Sequence, residues 1–114
     1  MTPVELADEM RRLSRLIDQG ITALRDQAQE LADAEHDYRK AVSLAWLSTP
    51  EGTVPQREAW VQGHTAKERH RRDLADGLRI AALEAVRSRR TQLSALQTLV
   101  NAFTEEAKFD RTSA

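Results

Sequence analysis

The chain has 114 residues, of which 31% are charged and 4% aromatic; it carries a formal net charge of −1 and has no cysteine. That length holds one domain at most, and the missing cysteines exclude disulfide frameworks and thiolate metal sites. So few aromatics leave thin material for a globular core, while the excess of Ala, Leu, Arg, Glu and Gln suits long helices with solvated faces.

The first helix is expected over 3–48. Thr2-Pro3-Val4-Glu5 has the form of a capping box, with proline at the first helical position. Met10, Ile17, Leu24, Leu31, Tyr38 and Ala45 then recur every seven residues, which places them on one stripe. Leu6 and Leu13 flank that stripe on one side, and Ile21, Ala28 and Val42 on the other. Glu35 falls on the latter row, at the rim or paired with an arginine of another helix. Gly20 is the one weak point, costing about 1 kcal/mol relative to alanine.

A turn is expected over 49–53. Pro50 disfavours helical geometry at Thr49, and Gly52 offers a positive φ. Thr53-Val54-Pro55-Gln56 repeats the capping-box pattern. The second helix is expected over 54–109, with residues 110–114 fraying. Its first half is weakly apolar, and Gly63 and Gly77 there mark a bend or a close helix approach. Its second half is regular, with Ala82, Val86, Leu93, Leu96, Val100, Phe103 and Ala107 at steps of three, four and seven. At 1.5 Å per residue the two helices span about 70 and 80 Å. A connection this short makes them antiparallel neighbours.

The expected fold is therefore all-α: a long, coiled-coil-like antiparallel two-helix hairpin forming one domain over 1–114. Two such helices expose more apolar stripe than they cover, so Trp46, Leu47, Trp60, Phe103 and Phe109 stay partly exposed in a single chain. Exposed apolar area of that extent marks an interface, and the expected state is a helical homo-oligomer. No apolar stretch reaches the length of a membrane span, and the first residues lack the pattern of an export signal. The expected location is the cytoplasm, with no membrane partner.

No catalytic constellation stands out. His36 lies between Glu35 and Asp37, and neighbours in a helix do not face each other. His64 and His70 are six apart, a poor helical spacing for a shared metal. Ser43, Ser48, Ser88 and Ser94 have no His/Asp partner at readable spacing, and there is no glycine-rich phosphate loop. The expectation is a protein that is not an enzyme, with no cofactor and no metal.

Charge is unevenly distributed. Residues 1–52 hold six Lys/Arg against ten Asp/Glu, and residues 57–90 hold nine against five. Lys67, Arg69, His70, Arg71 and Arg72 form a run, followed by Arg79 and by a cluster of Arg87, Arg89 and Arg90. Arg72, Arg79, Arg87 and Arg90 fall within one broad helix face, a ladder suited to a phosphate backbone. The same arginines suit the acidic residues of the first helix, and both readings are open at this point. Arg89 lies on the Ala82/Leu96/Phe103 row, where a polar residue specifies register or oligomer state, points into an oligomer channel where phosphates run, or snorkels to the surface.

The segment Leu83-Glu84-Ala85-Val86-Arg87-Ser88-Arg89-Arg90-Thr91-Gln92-Leu93-Ser94-Ala95-Leu96-Gln97 resembles the C-terminal helix of phage recombination mediators of the UvsY type. The wider layout is also similar: a helix ending in Tyr38-x-x-Ala41, a glycine-containing turn, then Arg57 opening a long helix. The turn Glu51-Gly52-Thr53-Val54-Pro55 further resembles that of short helical bacteriophage proteins. The motif covers about 15 of the 114 residues. The resemblance implies an oligomeric helical accessory of DNA recombination that binds single-stranded DNA and assists a recombinase or annealing protein. It implies Arg87, Arg89 and Arg90 as DNA contacts beside Arg69, Arg71, Arg72 and Arg79. It implies Leu93, Leu96, Val100 and Phe103 as the oligomer seam. The alternative is a coiled-coil interaction or assembly protein, a phage structural protein, chaperone or host-protein antagonist, without nucleic-acid affinity.

Overall fold

The computed structural model describes residues 1–113 and is all-α. It has three helices, α1 (Pro3–Ser48), α2 (Val54–His64) and α3 (Ala66–Ser113), with no strand among the described residues. Helix α1 begins where its capping box predicts. The Thr2 amide donates to Glu5 Oε2 (2.9 Å), and the Glu5 amide donates to Thr2 Oγ1 (3.1 Å). Ser48 ends α1 just before Thr49-Pro50. The second box starts α2: the Thr53 amide donates to Gln56 Oε1 (3.0 Å), and the Gln56 amide donates to Thr53 Oγ1 (3.3 Å).

Gly52 does not take the positive φ expected of it; no described residue does. Its use is steric. A Cβ at Gly52 would lie 2.7 Å from Gln56 Oε1, the atom that accepts the Thr53 amide. Glycine therefore clears the space in which the capping box closes.

The single helix expected over 54–109 is two helices, broken at Thr65, and the second runs on to Ser113. Thr65 is 1% exposed and has φ −117° and ψ 9°. Its amide (3.0 Å) and its hydroxyl (2.8 Å) both donate to the Val61 carbonyl. A buried threonine bonding back to the i−4 carbonyl bends a helix, and here it ends one. The Thr65 carbonyl then accepts the Arg69 amide (3.0 Å), which starts α3. At the far end, residues 110–113 continue the helix instead of fraying. The Thr112 hydroxyl donates to the carbonyls of Lys108 (3.2 Å) and Phe109 (3.0 Å), and no glycine or proline intervenes. Ala114, the last of the residues expected to fray, lies outside the described residues.

The chain divides into two compact units. The first joins Met1–Thr22 to Leu83–Ala114, and the second is Ala23–Ala82. In the first unit the covered residues of α1 include Leu6, Met10, Leu13, Ile17 and Gly20, at alternating steps of four and three. On α3 they include Val86, Arg89, Leu93, Leu96 and Val100, at the same steps. Leu13 (1%), Leu6 (2%) and Val86 (2%) are the most deeply covered large apolar residues of this seam. Gly20 is its point of closest approach, since a Cβ there would lie 2.9 Å from Val86 Cγ2 and 3.6 Å from Arg89 Nη1.

In the second unit the same rhythm continues with different material. Helix α1 contributes Leu24, Gln27, Leu31, Ala34, Tyr38, Ala41 and Ala45. Helices α2 and α3 contribute Val61, Glu68, Arg72, Ala75, Arg79 and Ala82, with Thr65 between them. This seam is small and polar. It buries Arg57 Nε and Glu68 Oε2 without a hydrogen-bond partner. Gly63 and Gly77 make no close approach, because a Cβ at either meets nothing within 4 Å.

The glycines give opposite expectations. Gly20→Leu should overpack the first unit and lower stability by about 1–3 kcal/mol. Gly77→Ala, in an open helix interior, should raise it by about 0.5–1 kcal/mol. Urea unfolding followed by circular dichroism reads both; a Gly20→Leu protein as stable as wild type would contradict the close approach.

Candidate nucleic-acid interface

The seven candidate arginines do not share one face. Arg72, Arg79 and Arg89 occupy seam positions and are half-buried, whereas Arg71, Arg87 and Arg90 are exposed. The ladder expected from Arg72, Arg79, Arg87 and Arg90 is therefore split between an inward row and an outward one. Heptad drift accounts for the split: a step of eight between Arg79 and Arg87 turns the side chain off the stripe.

In the second unit, Arg71 joins α3 to α1. It donates from Nε to Glu30 Oε1 (3.0 Å) and from Nη1 to Asp37 Oδ2. The hydrogen bond to Glu30, then that to Asp37, pushes its pKa up. Arg72 lies with its guanidinium 4.5 Å from the centre of the Tyr38 ring and pairs with Asp73 (2.8 Å). The hydrogen bond to Asp73 pushes its pKa up, with a smaller contribution from Glu35, which is half-buried and makes no ion pair among the described residues. Arg79 pairs with Asp76 (3.3 Å). Arg69 reaches back past Thr65 and donates to the Gln62 carbonyl (3.3 Å), so it braces the junction of α2 and α3.

In the first unit, Arg87 pairs with Glu84 one turn away (3.2 Å). Arg89 crosses the seam and donates to the Leu16 carbonyl (3.4 Å) through the space left by Gly20. Arg90 is exposed and makes no ion pair or hydrogen bond among the described residues. The attraction expected between the acidic first helix and the basic second one is carried by Arg71; Arg72, Arg79 and Arg87 pair within their own helix. Surface pairs of this kind are each worth about 0–1 kcal/mol and exchange readily for other anions.

The candidate set lacked three arginines that the fold brings into the same unit. Arg11, Arg12 and Arg15 stand on the exposed side of α1. Arg11 pairs with Asp8 (2.7 Å) and Arg12 with Glu9, whose carboxyl is held below its usual pKa by the hydrogen bond from Arg12. Arg15 is exposed and makes no ion pair or hydrogen bond among the described residues. Residues 10–17 and 85–104 thus contribute six arginines and no carboxylate to the first unit. The signal was present as a local absence of acid, hidden by averaging the first half of the chain to a net negative value.

The expected oligomer seam divides too. Leu93, Leu96 and Val100 are half-buried by the chain's own packing, while Phe103 is 47% exposed. Between the first turns of α1 and the last turns of α3 lies an open groove of about 520 Å³, lined mainly by Leu6, Met10, Val100, Phe103 and Ala107. At the turn, Trp46 lies under the Arg57 guanidinium (5.5 Å), and Trp60 stacks on His64 (3.7 Å). His64 Nδ1 is 2.8 Å from the Trp60 carbonyl. Among the described residues no group of three or more His, Asp or Glu is placed to hold a metal ion, and no helix is long and apolar enough to cross a membrane.

Comparison with protein-family models, with curated proteins and with solved structures gives no match to this chain. The arginines therefore rest on their own geometry, which yields two expectations. Arg71→Ala should lower stability by less than about 1 kcal/mol, as an exposed pair does. Arg89→Leu should raise the thermal midpoint, because an apolar residue replaces a half-desolvated charge on the seam. Thermal unfolding by circular dichroism checks both, and a large loss in Arg89→Leu would show that the Leu16 contact holds the unit together.

Proposed function

We propose that this chain is a non-enzymatic helical hairpin that self-associates and carries single-stranded DNA for a recombinase or annealing protein. This is the role that the resemblance to phage recombination mediators implies, in the cytoplasm and with no cofactor. The observation that carries the reading is that two arginines of the first unit, Arg15 and Arg90, stand exposed with no carboxylate partner. Residues 10–17 and 85–104 supply six arginines, of which Arg15 and Arg90 are exposed and unpaired. One chain with net charge −1 offers a polyanion only these few free contacts. Several copies along one strand multiply them without any new contact. Self-association is supported by the apolar side chains left exposed, among them Leu47 (84%), Val54 (62%) and Leu44 (54%).

The antiparallel hairpin is supported by the cross-helix partners within each unit. In the first, Gly20 meets Val86 and Leu16 meets Arg89. In the second, Trp46 meets Arg57 and Tyr38 meets Arg72. Partner numbers fall along α1 as they rise along α2 and α3.

A second reading is an interaction or assembly protein with no nucleic-acid affinity. It is favoured by the pairing of Arg71, Arg72, Arg79 and Arg87 with the chain's own carboxylates.

Fluorescence anisotropy with a labelled single-stranded oligonucleotide at low salt separates the two. The first reading expects binding that weakens steeply with salt, and a loss of at least about tenfold in Arg15→Glu/Arg90→Glu, about 1.4 kcal/mol. Absent binding, or binding indifferent to these substitutions, selects the second.

A further inference from the structure

We infer that the connection between α1 and α2 holds a seat for one unstacked base of a single strand, walled by Trp60 and edged by Glu51, Gln56 and Arg57. The inference deepens the single-stranded DNA reading above and rests on it. Every residue in it belongs to the second unit.

The turn stands apart in composition. Both tryptophans of the chain, Trp46 and Trp60, flank it. Residues 41–56 hold one charged side chain, Glu51, in a chain of which 31% is charged. A segment without cations is not built to follow phosphates, which are held by Lys and Arg. Aromatic rings there suit the bases instead, since every base has a face to stack.

A cleft of about 170 Å³ opens at this turn, lined by Thr49, Pro50, Glu51, Gln56, Arg57 and Trp60. Drug-sized ligands occupy about 300–1,000 Å³, so this space suits one planar ring. Its walls are fixed locally. The capping box holds Gln56 against Thr53, and Gly52 leaves room for it. His64 stacks on Trp60 at 3.7 Å with the planes 20° apart. His64 does not line the cleft, so the cleft meets the part of the indole that His64 leaves uncovered.

The polar groups at the rim decide the class of ligand. Arg57 lies over the Trp46 ring and makes no ion pair or hydrogen bond among the described residues; its Nε is covered and unpartnered. Gln56 commits its Oε1 to the Thr53 amide, which leaves the side-chain NH2 as a donor. Glu51 makes no ion pair among the described residues, with Arg57 or with any other cation. The cleft thus offers donors and one carboxylate acceptor. A phosphate brings acceptors only and is opposed by Glu51. A lysine or arginine side chain is opposed by Arg57. A hydrocarbon group leaves all three polar side chains unanswered. A base edge carries donors and acceptors side by side, and the exocyclic amino group of cytosine donates to a carboxylate.

Tryptophan emission reads this cleft directly, because the chain has no other tryptophans. The full-length Trp46→Phe protein, in which Trp60 alone emits, is titrated at low salt with a short oligodeoxycytidylate, with an abasic strand of the same length, and with deoxycytidine monophosphate. Oligodeoxycytidylate should quench Trp60 and the abasic strand should not. The mononucleotide, at equal nucleotide concentration, should quench far less than the strand. By anisotropy, Trp60→Leu should weaken oligodeoxycytidylate binding at least about fivefold, the lower end of what one stacked base contributes, and leave the abasic strand as before. The quenching arm does not depend on the leucine variant keeping its fold. A bound strand that leaves Trp60 unquenched, an abasic strand bound as tightly, or a folded Trp60→Leu equal to wild type overturns the inference and leaves DNA held by its phosphates. Equal quenching by the mononucleotide overturns the assignment to a strand and makes the cleft a site for free nucleotides. A wild type that binds neither strand overturns the proposed function and the inference with it.

Discussion

A helix whose inward side chains alternate at steps of three and four has one narrow stripe to hide, and a second helix with the same rhythm is what fits it. Both long helices of this protein keep that rhythm throughout the covered part of their length. In the first unit the stripe is filled by Leu6, Met10, Leu13 and Ile17 against Val86, Leu93, Leu96 and Val100. Gly20 lets the backbones come close enough for Val86 to touch α1 and for Arg89 to cross to the Leu16 carbonyl. Apolar burial and one close contact fix the register there. The polar contact adds specificity at some cost in stability.

The second unit meets the same constraint with poorer material. Ala34, Ala41, Ala45, Ala75 and Ala82 bury little area, and Glu68, Arg72 and Arg79 place charge on the stripe. Small residues leave space that the arginines fill, with Arg72 lying over Tyr38 and Arg71 reaching across to Glu30 and Asp37. Cation–π and exposed ion-pair contacts are individually weak. Unpartnered Arg57 Nε and Glu68 Oε2 oppose them, since an orphaned buried polar atom costs about 1–3 kcal/mol. This seam thus defines neighbours more than it provides stability.

Much of this was legible in residue order. The start and end of α1, the turn and both capping boxes follow from Thr2-Pro3, Thr49-Pro50 and Thr53-Val54-Pro55-Gln56, because proline and capping side chains act locally. The row from Met10 to Ala45 is inward as periodicity demands. The break at Thr65 was legible only as the bend offered at Gly63, two residues away; its cause was not, because a threonine in a helical window acts as a breaker only when burial turns its hydroxyl onto the Val61 carbonyl. Gly20 was read as a local weakness, although its value lies in contact with α3, sixty-odd residues away. The arginines were the hardest. Which of them faces inward depends on the heptad phase, and Arg72, Arg79 and Arg89 fall in phase while Arg71, Arg87 and Arg90 do not. Arg15 went unnoticed because it stands between Asp8, Glu9 and Asp18 along the chain, and only the structure shows that none of them pairs with it.

Apolar helix surface that one copy leaves in water, most plainly along residues 101–112, is what the proposed self-association would cover. Hydrogen–deuterium exchange of the last turns of α3, followed across a dilution series, tests that most directly. The amides of residues 104–112 should be protected at high protein concentration and should exchange much faster on dilution, while those around Leu13 and Val86 stay protected throughout. Exchange in those turns that is equally fast at every concentration would contradict the account.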